Sequence, residues 1–299
     1  MMPFRILAPL SAVILLSAGC RTPTPLDTST PEGFLLNRGR GDFTVPGLAD
    51  GTDMKVFYAI PEFGELESMP VLIVIHGAER NAPAYRESWV EEARNRGCLV
   101  FVPEFTASEF PNSPHFQQGG ILNTSGNPAP VEDRTTAIIE PLFDSIRSQL
   151  GYPVSQYDLW GHSAGAQLVH RTVIFEGAQA RIHRAVAANA GWYTVTDDNV
   201  AFPYGMANSG LTTGELGGVM AVNLTVHLGE LDNEFSATAW QGAYAQGDSR
   251  IERGQYFFDR AAQSASGHGQ SFQWNLAVAA GVGHNQVQMA HAAAELLYP

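Results

Sequence analysis

A serine between two glycines is the residue whose surroundings best fit covalent chemistry in this chain. Ser163 lies in the sequence Leu-Trp-Gly-His-Ser-Ala-Gly of residues 159–165. In a turn between a strand and a helix, Gly-x-Ser-x-Gly exposes the serine hydroxyl above the sheet edge, and the glycines avoid the collisions that a Cβ would make. The pattern alone also arises by chance in glycine-rich loops with a capping serine. Its flanks therefore decide the interpretation.

Both flanks favour a strand, a tight turn and a helix. Residues 157–160 are a short apolar run introduced by a turn-like Gly-Tyr-Pro at 151–153, which predicts a strand. After Gly165, apolar residues recur with helical spacing until Gly177. The context that a nucleophilic serine turn requires is present.

A serine nucleophile needs a base to accept its proton. His284 stands in Gly-Val-Gly-His-Asn at residues 281–285, directly after the last predicted strand. The glycines give this loop the freedom to bring an imidazole to the serine. His284 is the candidate base, with a capping or surface histidine as the structural alternative. His115 and His227 are the rival bases that are less easily dismissed. Both precede or interrupt segments, so that the chain order serine, acid, histidine would fail or be crowded.

The histidine in turn needs a carboxylate that holds its tautomer and stabilises the imidazolium. Asp232 is the candidate, because it stands a few residues past the strand predicted at 224–228, in a loop expected beside that of His284. The other candidate carboxylates, in order of preference, are Glu230, Glu234, Asp197 and Asp198. A solvated acidic turn is the structural alternative for this run.

Strand and helix patterns alternate along most of the chain. Strands are predicted at residues 54–60 (an edge strand), 71–75, 98–102, 157–160, 185–189, 224–228 and 272–279. Helices are predicted at 85–95, at 135–150 with Pro141 as a kink or in the first turn, after Gly165, over most of 236–264, and at 286–297. This alternation predicts an α/β fold with a mainly parallel sheet, whose sites form at the carboxyl ends of the strands.

Two long loops, at residues 104–133 and 191–219, are candidates for shaping a substrate site. The second loop carries four aromatic residues: Trp192, Tyr193, Phe202 and Tyr204. They form the wall of an acyl or aromatic pocket beside the serine, or alternatively the packing that anchors a long loop.

These segments together resemble the α/β-hydrolase superfamily, from about residue 40 to the end of the chain. The resemblance rests on the serine turn, the Gly-Glu-Leu-Asp turn at 229–232, the Gly-Val-Gly-His loop and a His-Gly loop at 76–77. It implies a twisted sheet of approximately eight strands with helices on both faces, no large cap, and one domain over residues 40–299. Within the superfamily the chain is similar to secreted polyhydroxybutyrate depolymerase-like and feruloyl esterase-like enzymes.

The resemblance also implies an oxyanion hole made of two backbone N–H groups. One belongs to Ala164, which follows the nucleophile, and the second is assigned to Ala78 in the His-Gly loop, with a register open by one residue. His76 is then structural and holds this loop in place. The order Ser163, Asp232, His284 is the nucleophile–acid–base order of α/β-hydrolases.

The N-terminal twenty residues predict an export signal. A short basic start precedes an apolar stretch at residues 6–16 that is too short to span a bilayer. Residues 17–20, Ser-Ala-Gly-Cys, resemble a bacterial lipobox, which makes Cys20 a lipidation site, and the Pro- and Thr-rich residues 21–39 a tether. The expected location is the periplasm or outer surface, anchored by lipid. A cleaved secretory signal and a soluble secreted protein are the alternative.

Charge and motif content exclude several classes of function. The chain carries 17 Lys and Arg against 30 Asp and Glu, for a net charge of −13, which argues against nucleic acid as a partner. No zinc-ligand spacing and no glycine-rich nucleotide loop is present, so neither a metal nor a cofactor is expected. The chain contains only one cysteine besides Cys20, Cys98, which reads as a buried small hydrophobe.

The sequence therefore predicts an exported, lipid-anchored serine hydrolase that cleaves carboxylic esters, either small or polymeric, through a Ser-His-Asp triad and an acyl-enzyme. A peptidase or amidase on the same fold is one alternative. A non-catalytic lipid-anchored binding protein that kept the fold is another. The sequence assigns no oligomeric state.

Overall fold

Eight strands form one sheet in the part of the chain that the structure describes. The structure, a computed structural model, describes residues 27–49, 51–233 and 241–299. The predicted export signal, Cys20 and the first part of the tether lie outside these residues. In chain order the strands are β1 (Gly39–Ala49), β2 (Thr52–Ile60), β3 (Val71–Ile75), β4 (Leu99–Pro103), β5 (Tyr157–His162), β6 (Ile182–Ala188), β7 (Leu224–Gly229) and β8 (Asn275–Ala279).

Seven α-helices of very different lengths connect and flank these strands in the described ranges. They are α1 (Ala82–Arg96), α2 (Asn112–His115), α3 (Ile139–Leu150), α4 (Ala164–Glu176), α5 (Gly217–Met220), α6 (Arg250–Gly267) and α7 (Gln286–Leu297). None of the helices within the described ranges has the length and apolar character needed to cross a membrane.

The sheet is mainly parallel, with the strand order β1-β2-β4-β3-β5-β6-β7-β8. Only the pairs β1–β2 and β2–β4 are antiparallel in this sheet, and every pair from β4 to β8 is parallel. One face of the sheet packs against α1 and α7, and the other against α3, α4 and α6. The α/β fold class with a mainly parallel sheet of approximately eight strands is confirmed.

The expectation that residues 54–60 form an edge strand is wrong. Strand β2 pairs on both sides, with β1 and with β4, and most of its length is buried. The edge strand on that side is β1, which the sequence analysis missed. Its Gly39, Gly41, Pro46 and Gly47 have the composition of a loop, and its register shifts after Val45.

Two helix predictions are adjusted by the structure. Residues 135–138 form a 3-10 turn before α3, and Pro141 lies in the first turn of α3, where the missing N–H costs no intrahelical hydrogen bond. The helix predicted within 236–264 begins at Arg250 as α6, where Ser249 and Glu252 form a capping box. Residues 236–240 of that prediction lie outside the described chain.

Helix α4 crosses very close to the ends of β3 and β5, and two glycines allow it. A Cβ on Gly161 would lie 2.5 Å from the carbonyl carbon of Gly165, and a Cβ on Gly165 would lie 2.2 Å from the carbonyl oxygen of Ile75. Both distances are far below van der Waals contact and involve backbone atoms, which do not move aside easily. The turn between β5 and α4 therefore depends on both glycines, as the sequence predicts.

Replacement of Gly165 by alanine tests this packing. We expect Gly165→Ala to lower the free energy of unfolding by about 1–3 kcal/mol, because the added methyl forces α4 away from β3. Urea denaturation followed by circular dichroism measures the change. Gly214→Ala is the matched control, since a Cβ at Gly214 meets no atom within 4 Å. Equal stability losses in the two variants would contradict the packing argument.

Candidate active site

Ser163 occupies a strained turn between β5 and α4. Its backbone angles are φ 58° and ψ −115°, a region that residues with a side chain rarely adopt. The surrounding chain holds this conformation from both sides. The Ser163 N–H donates to the carbonyl of Ala188 at the end of β6 (3.0 Å), and its carbonyl accepts from the N–H of Gln167 in α4 (3.2 Å).

Three loops at the carboxyl ends of parallel strands bring the predicted serine, histidine and aspartate together. The His284 Nε2 atom lies 3.0 Å from the Ser163 Oγ atom, and the His284 Nδ1 atom lies 2.7 Å from the Asp232 Oδ2 atom. The Asp232 side chain is only 1% exposed, whereas that of His284 is 29% exposed. Both distances allow direct proton transfer or orientation by hydrogen bonding.

The other candidate carboxylates have different partners. Asp197 pairs with Arg260, and Asp198 accepts hydrogen bonds from the N–H and hydroxyl of Thr213. Glu230 accepts from the N–H of Gly281 at 2.6 Å, so it joins the loop of Asp232 to the loop of His284. Glu234 lies outside the described residues.

His76 ties two loops together. Its Nε2 atom accepts a hydrogen bond from the N–H of Phe105 (3.0 Å), and its Nδ1–H donates to the carbonyl of Gly77 (3.0 Å). Burial lowers the pKa of His76 to about 4, so the ring is neutral at physiological pH. The loop after β3 is thereby fixed to the loop after β4, which agrees with a structural role for this histidine.

The two alanines predicted for the oxyanion hole belong to two segments that approach Ser163. Ala164 is the first residue of α4, and N–H groups in the first turn of a helix have no acceptor within that helix. Ala78 follows Gly77, whose Cβ, if present, would lie 3.7 Å from the Ser163 Cβ atom. A role for both N–H groups in stabilising an oxyanion remains a prediction.

Asn189 connects the end of β7, just before Asp232, to the loop of His284, and no sequence pattern predicted it as a site residue. It has a positive φ of 51° and is 1% exposed. Its side-chain oxygen accepts from the N–H of Gly229 (2.7 Å), and its side-chain amide donates to the carbonyl of Gly283 (3.1 Å). The Asn189 side chain thus links the ends of β6 and β7 to the loop after β8. An asparagine directly after a buried strand was the available signal.

Tyr85 and His162 form a second buried link behind the site. The Tyr85 hydroxyl lies 3.0 Å from the His162 Nδ1 atom. Burial raises the pKa of Tyr85 and, with the nearby charge of His284 as a smaller cause, lowers the pKa of His162, so the hydroxyl donates to a neutral ring. The His162 ring packs against that of His284, with ring centroids 4.6 Å apart. His284 therefore packs against an uncharged imidazole ring.

The aromatic loop is packed largely into the protein. Trp192 is 4% exposed and lies beneath the Arg171 guanidinium and against Tyr204, while Tyr193 is fully buried and stacks on Phe257. Phe202 is half-buried and contacts Phe175. These contacts favour the anchoring alternative for Trp192 and Tyr193. The pocket role of the four aromatic residues stays a prediction.

No group of three or more histidine, cysteine or carboxylate side chains suited to a metal occurs in the described ranges. Cys98, the cysteine within those ranges, is fully buried, and burial raises the pKa of its thiol. Cys98 therefore behaves as a small core residue, as expected from its strand.

No family model and no curated protein matches this chain. Among solved structures, poly(aspartic acid) hydrolase-1 from Sphingomonas sp. KT-1 is 36% identical, with a TM-score of 0.83 over 88% of this chain and 100% of that one. The chain belongs to the α/β-hydrolase superfamily. This α/β-hydrolase is also similar to LpqC, a poly(3-hydroxybutyrate) depolymerase from Bordetella parapertussis, at 29% identity and a TM-score of 0.82 over 88% of this chain and 90% of that one.

A third solved structure extends the likeness of fold to a more distant hydrolase. An IroE-like serine hydrolase from Shewanella oneidensis is 12% identical, with a TM-score of 0.54 over 87% of this chain and 80% of that one. At this identity the comparison concerns the fold alone. The superfamily resemblance predicted from the sequence is confirmed, and the chain is a hydrolase of this fold.

Removal of the Asn189 amide tests whether it holds the loops of Asp232 and His284 together. We expect Asn189→Ala to lose about 1–3 kcal/mol of stability, because it leaves a buried N–H and a carbonyl without their partner. We also expect kcat/KM for an ester to fall on the order of 10–100-fold, since the loops lose their register. Denaturation curves and steady-state kinetics measure both effects.

Asn199→Ala is the control, because Asn199 is exposed and bonds only to neighbouring aspartates. We expect it to leave stability and turnover close to wild type. Wild-type turnover in Asn189→Ala would show that the amide is dispensable for the geometry of the site.

Proposed function

We propose that this chain is an exported serine hydrolase that cleaves carboxylic esters through an acyl-enzyme. Ser163 is the nucleophile, His284 the general base and acid, and Asp232 the carboxylate that orients the histidine. The observation that carries the proposal is the continuous set of hydrogen bonds from Ser163 Oγ through His284 to Asp232, at 3.0 Å and 2.7 Å. It joins a nucleophile, a base and an orienting acid in one line.

Each atom of this set has one role in the reaction. The His284 Nδ1–H donates to Asp232, so the Nε2 atom is free to accept the Ser163 proton as Oγ attacks the carbonyl carbon. Buried Asp232 stabilises the imidazolium that results. The N–H groups of Ala164 and Ala78 receive the oxyanion. His284 then protonates the leaving alcohol, and it activates the water that releases the acid and frees Ser163.

Esters, either small or polymeric, are the proposed substrates. The similarity to a structure named as a poly(3-hydroxybutyrate) depolymerase supports a polyester or a smaller ester. The peptidase or amidase alternative is kept because the 36% identical relative is named for hydrolysis of poly(aspartic acid), which is a polyamide. A lipid-anchored binding protein without catalysis is less well supported, because all three candidate catalytic residues are present and in contact.

Attachment to a membrane by lipid at Cys20 completes the proposal. The apolar stretch at residues 6–16 and the following Ser-Ala-Gly-Cys support export and lipidation, and the Pro- and Thr-rich segment after them supports a tether between membrane and enzyme. The enzyme then acts in the periplasm or at the outer surface. Release as a soluble protein after ordinary signal cleavage is the alternative.

Replacement of Ser163 tests the assignment of the nucleophile. We expect Ser163→Ala to lose labelling by a fluorophosphonate probe and to lower kcat for ester hydrolysis by about 10⁴-fold or more, because no other hydroxyl takes its place. Ser148→Ala is the control, since Ser148 is exposed on α3 and bonds only to a carbonyl of its own helix. Wild-type turnover by Ser163→Ala would overturn the mechanism.

The same purified protein separates esterase from amidase and binding protein. An alkyl ester and an amide with one shared acyl group are compared by kcat/KM, and poly(3-hydroxybutyrate) and poly(aspartic acid) are compared by product release. We expect the ester and the polyester to be preferred. Preference for the amide and the polyamide would favour the amidase alternative, whereas absence of both labelling and turnover would favour the binding protein.

Cysteine replacement tests the lipid anchor. In a bacterial host that processes lipoproteins, we expect wild type to fractionate with membranes and Cys20→Ser to appear in the soluble fraction, because the thiol that carries the lipid is lost. Cys98→Ser is the control and should stay with membranes, since Cys98 is a buried core residue. Equal fractionation of wild type and Cys20→Ser would contradict lipidation at this position.

A further inference from the structure

We propose that Arg250 is a positioning residue that acts on His284 through Asp232 and keeps this histidine available as a base at lower pH. The inference rests on the proposed function of the site. Neither the sequence patterns nor the order of the triad residues pointed to Arg250, which lies 18 residues after Asp232 in the chain.

The carboxylate of Asp232 is shared between two basic side chains. Its Oδ2 atom lies 2.7 Å from His284 Nδ1, and its Oδ1 atom lies 2.9 Å from Arg250 Nη1. The carboxylate is 1% exposed and the Arg250 side chain is 19% exposed. With one partner on each oxygen, rotation of the carboxylate breaks at least one charged hydrogen bond. Arg250 therefore fixes the direction from which Asp232 approaches the imidazole.

The backbone of Arg250 is itself held firmly. Arg250 is the first residue of α6, where Ser249 and Glu252 form the capping box. One turn later, Arg253 donates to the carbonyls of Gly247 and Gly191. The start of α6 is thereby fixed to the loop after β6. The guanidinium that bonds to Asp232 thus extends from a backbone that is itself fixed, which orientation of a carboxylate requires.

The charge of Arg250 acts in opposite ways on the two forms of His284. Before reaction, the guanidinium balances the buried carboxylate, which would otherwise be costly to keep ionised. When His284 holds a proton, two cations share one carboxylate, and the repulsion between them favours loss of that proton. Loss of Arg250 would remove this repulsion, so a variant without the charge should need a higher pH to reach the neutral form of His284 that accepts the serine proton.

Other titratable or charged groups lie near His284, Asp232 and Arg250 in the described part of the chain. His162 contacts His284, Tyr193 lies near Asp232 and Arg253 lies near Arg250. His227 lies beyond His162, and Glu230 lies in the loop that contains Asp232. Burial lowers the pKa of His227 to about 4 and lowers the pKa of His162 well below its usual value, so both rings are neutral in the working range. Arg253 is directed to backbone carbonyls, and Glu230 to the N–H of Gly281.

The test is the pH profile of kcat/KM for Arg250→Met, Arg250→Gln and Arg250→Lys with one ester. We expect the acid limb of the profile to move to higher pH by about one unit in the Met and Gln variants, because His284 keeps its proton more easily without the neighbouring cation. The Lys variant should keep the limb within a few tenths of a unit of wild type, since the charge remains.

Arg260→Met is the matched control. Arg260 also belongs to α6, but it forms an ion pair with Asp197 and not with Asp232. The acid limb of the pH profile should therefore not move in this variant. Titration with a fluorophosphonate probe gives the active fraction of each variant, so poor folding does not distort kcat/KM.

Two results would overturn the proposal. One is an unmoved acid limb in a folded and probe-labelled Met or Gln variant. The other is a limb that moves as far in Arg250→Lys as in the neutral variants. Failure of the proposed function looks different, because wild type itself would then show neither probe labelling nor Ser163-dependent hydrolysis.

Discussion

The close approach of helix α4 to strands β3 and β5 is the constraint on which the rest of the site depends. Ser163 keeps a backbone conformation that is unfavourable by itself, because hydrogen bonds to β6 and to α4 hold it on both sides. The crossing leaves no room for a side chain at Gly161 or Gly165. The same approach sets the loop after β3 against the serine. The position of the hydroxyl thus follows from how tightly one helix lies on a parallel sheet.

The parallel sheet then determines where the partners of Ser163 come from. Strands β6, β7 and β8 are neighbours in register, so the loops at their carboxyl ends meet beside the serine. Asp232 and His284 belong to two of those loops, and Asn189 at the end of β6 bonds to both. The hydrogen bonds of the site are therefore possible because of the strand order. Backbone pairing between neighbouring strands brings together residues that are far apart in the sequence.

Local patterns in the sequence predict the parts of this molecule that depend on near neighbours. Continuous apolar runs identify β3 and β4, and Gly-x-Ser-x-Gly with its flanks identifies the serine turn. Strand β1 escaped because glycines and a proline give a paired strand the composition of a loop. Arg250, Tyr85 and His162 escaped for another reason. Their contacts with the site join elements distant in the chain, and no spacing rule encodes an ion pair or a buried hydroxyl–imidazole contact.

The amide of Asn189 has a consequence for how this enzyme can change. Because it joins the end of β7, just before Asp232, to the loop of His284, a change in the length of either loop would alter the position of the other. The long loops at 104–133 and 191–219 carry no member of the triad, but the second is tied to α6 through the hydrogen bond from Arg253 to the carbonyl of Gly191. Changes intended to alter the acyl preference would therefore be placed within these two loops, beyond that bond, with the ends of β6, β7 and β8 untouched.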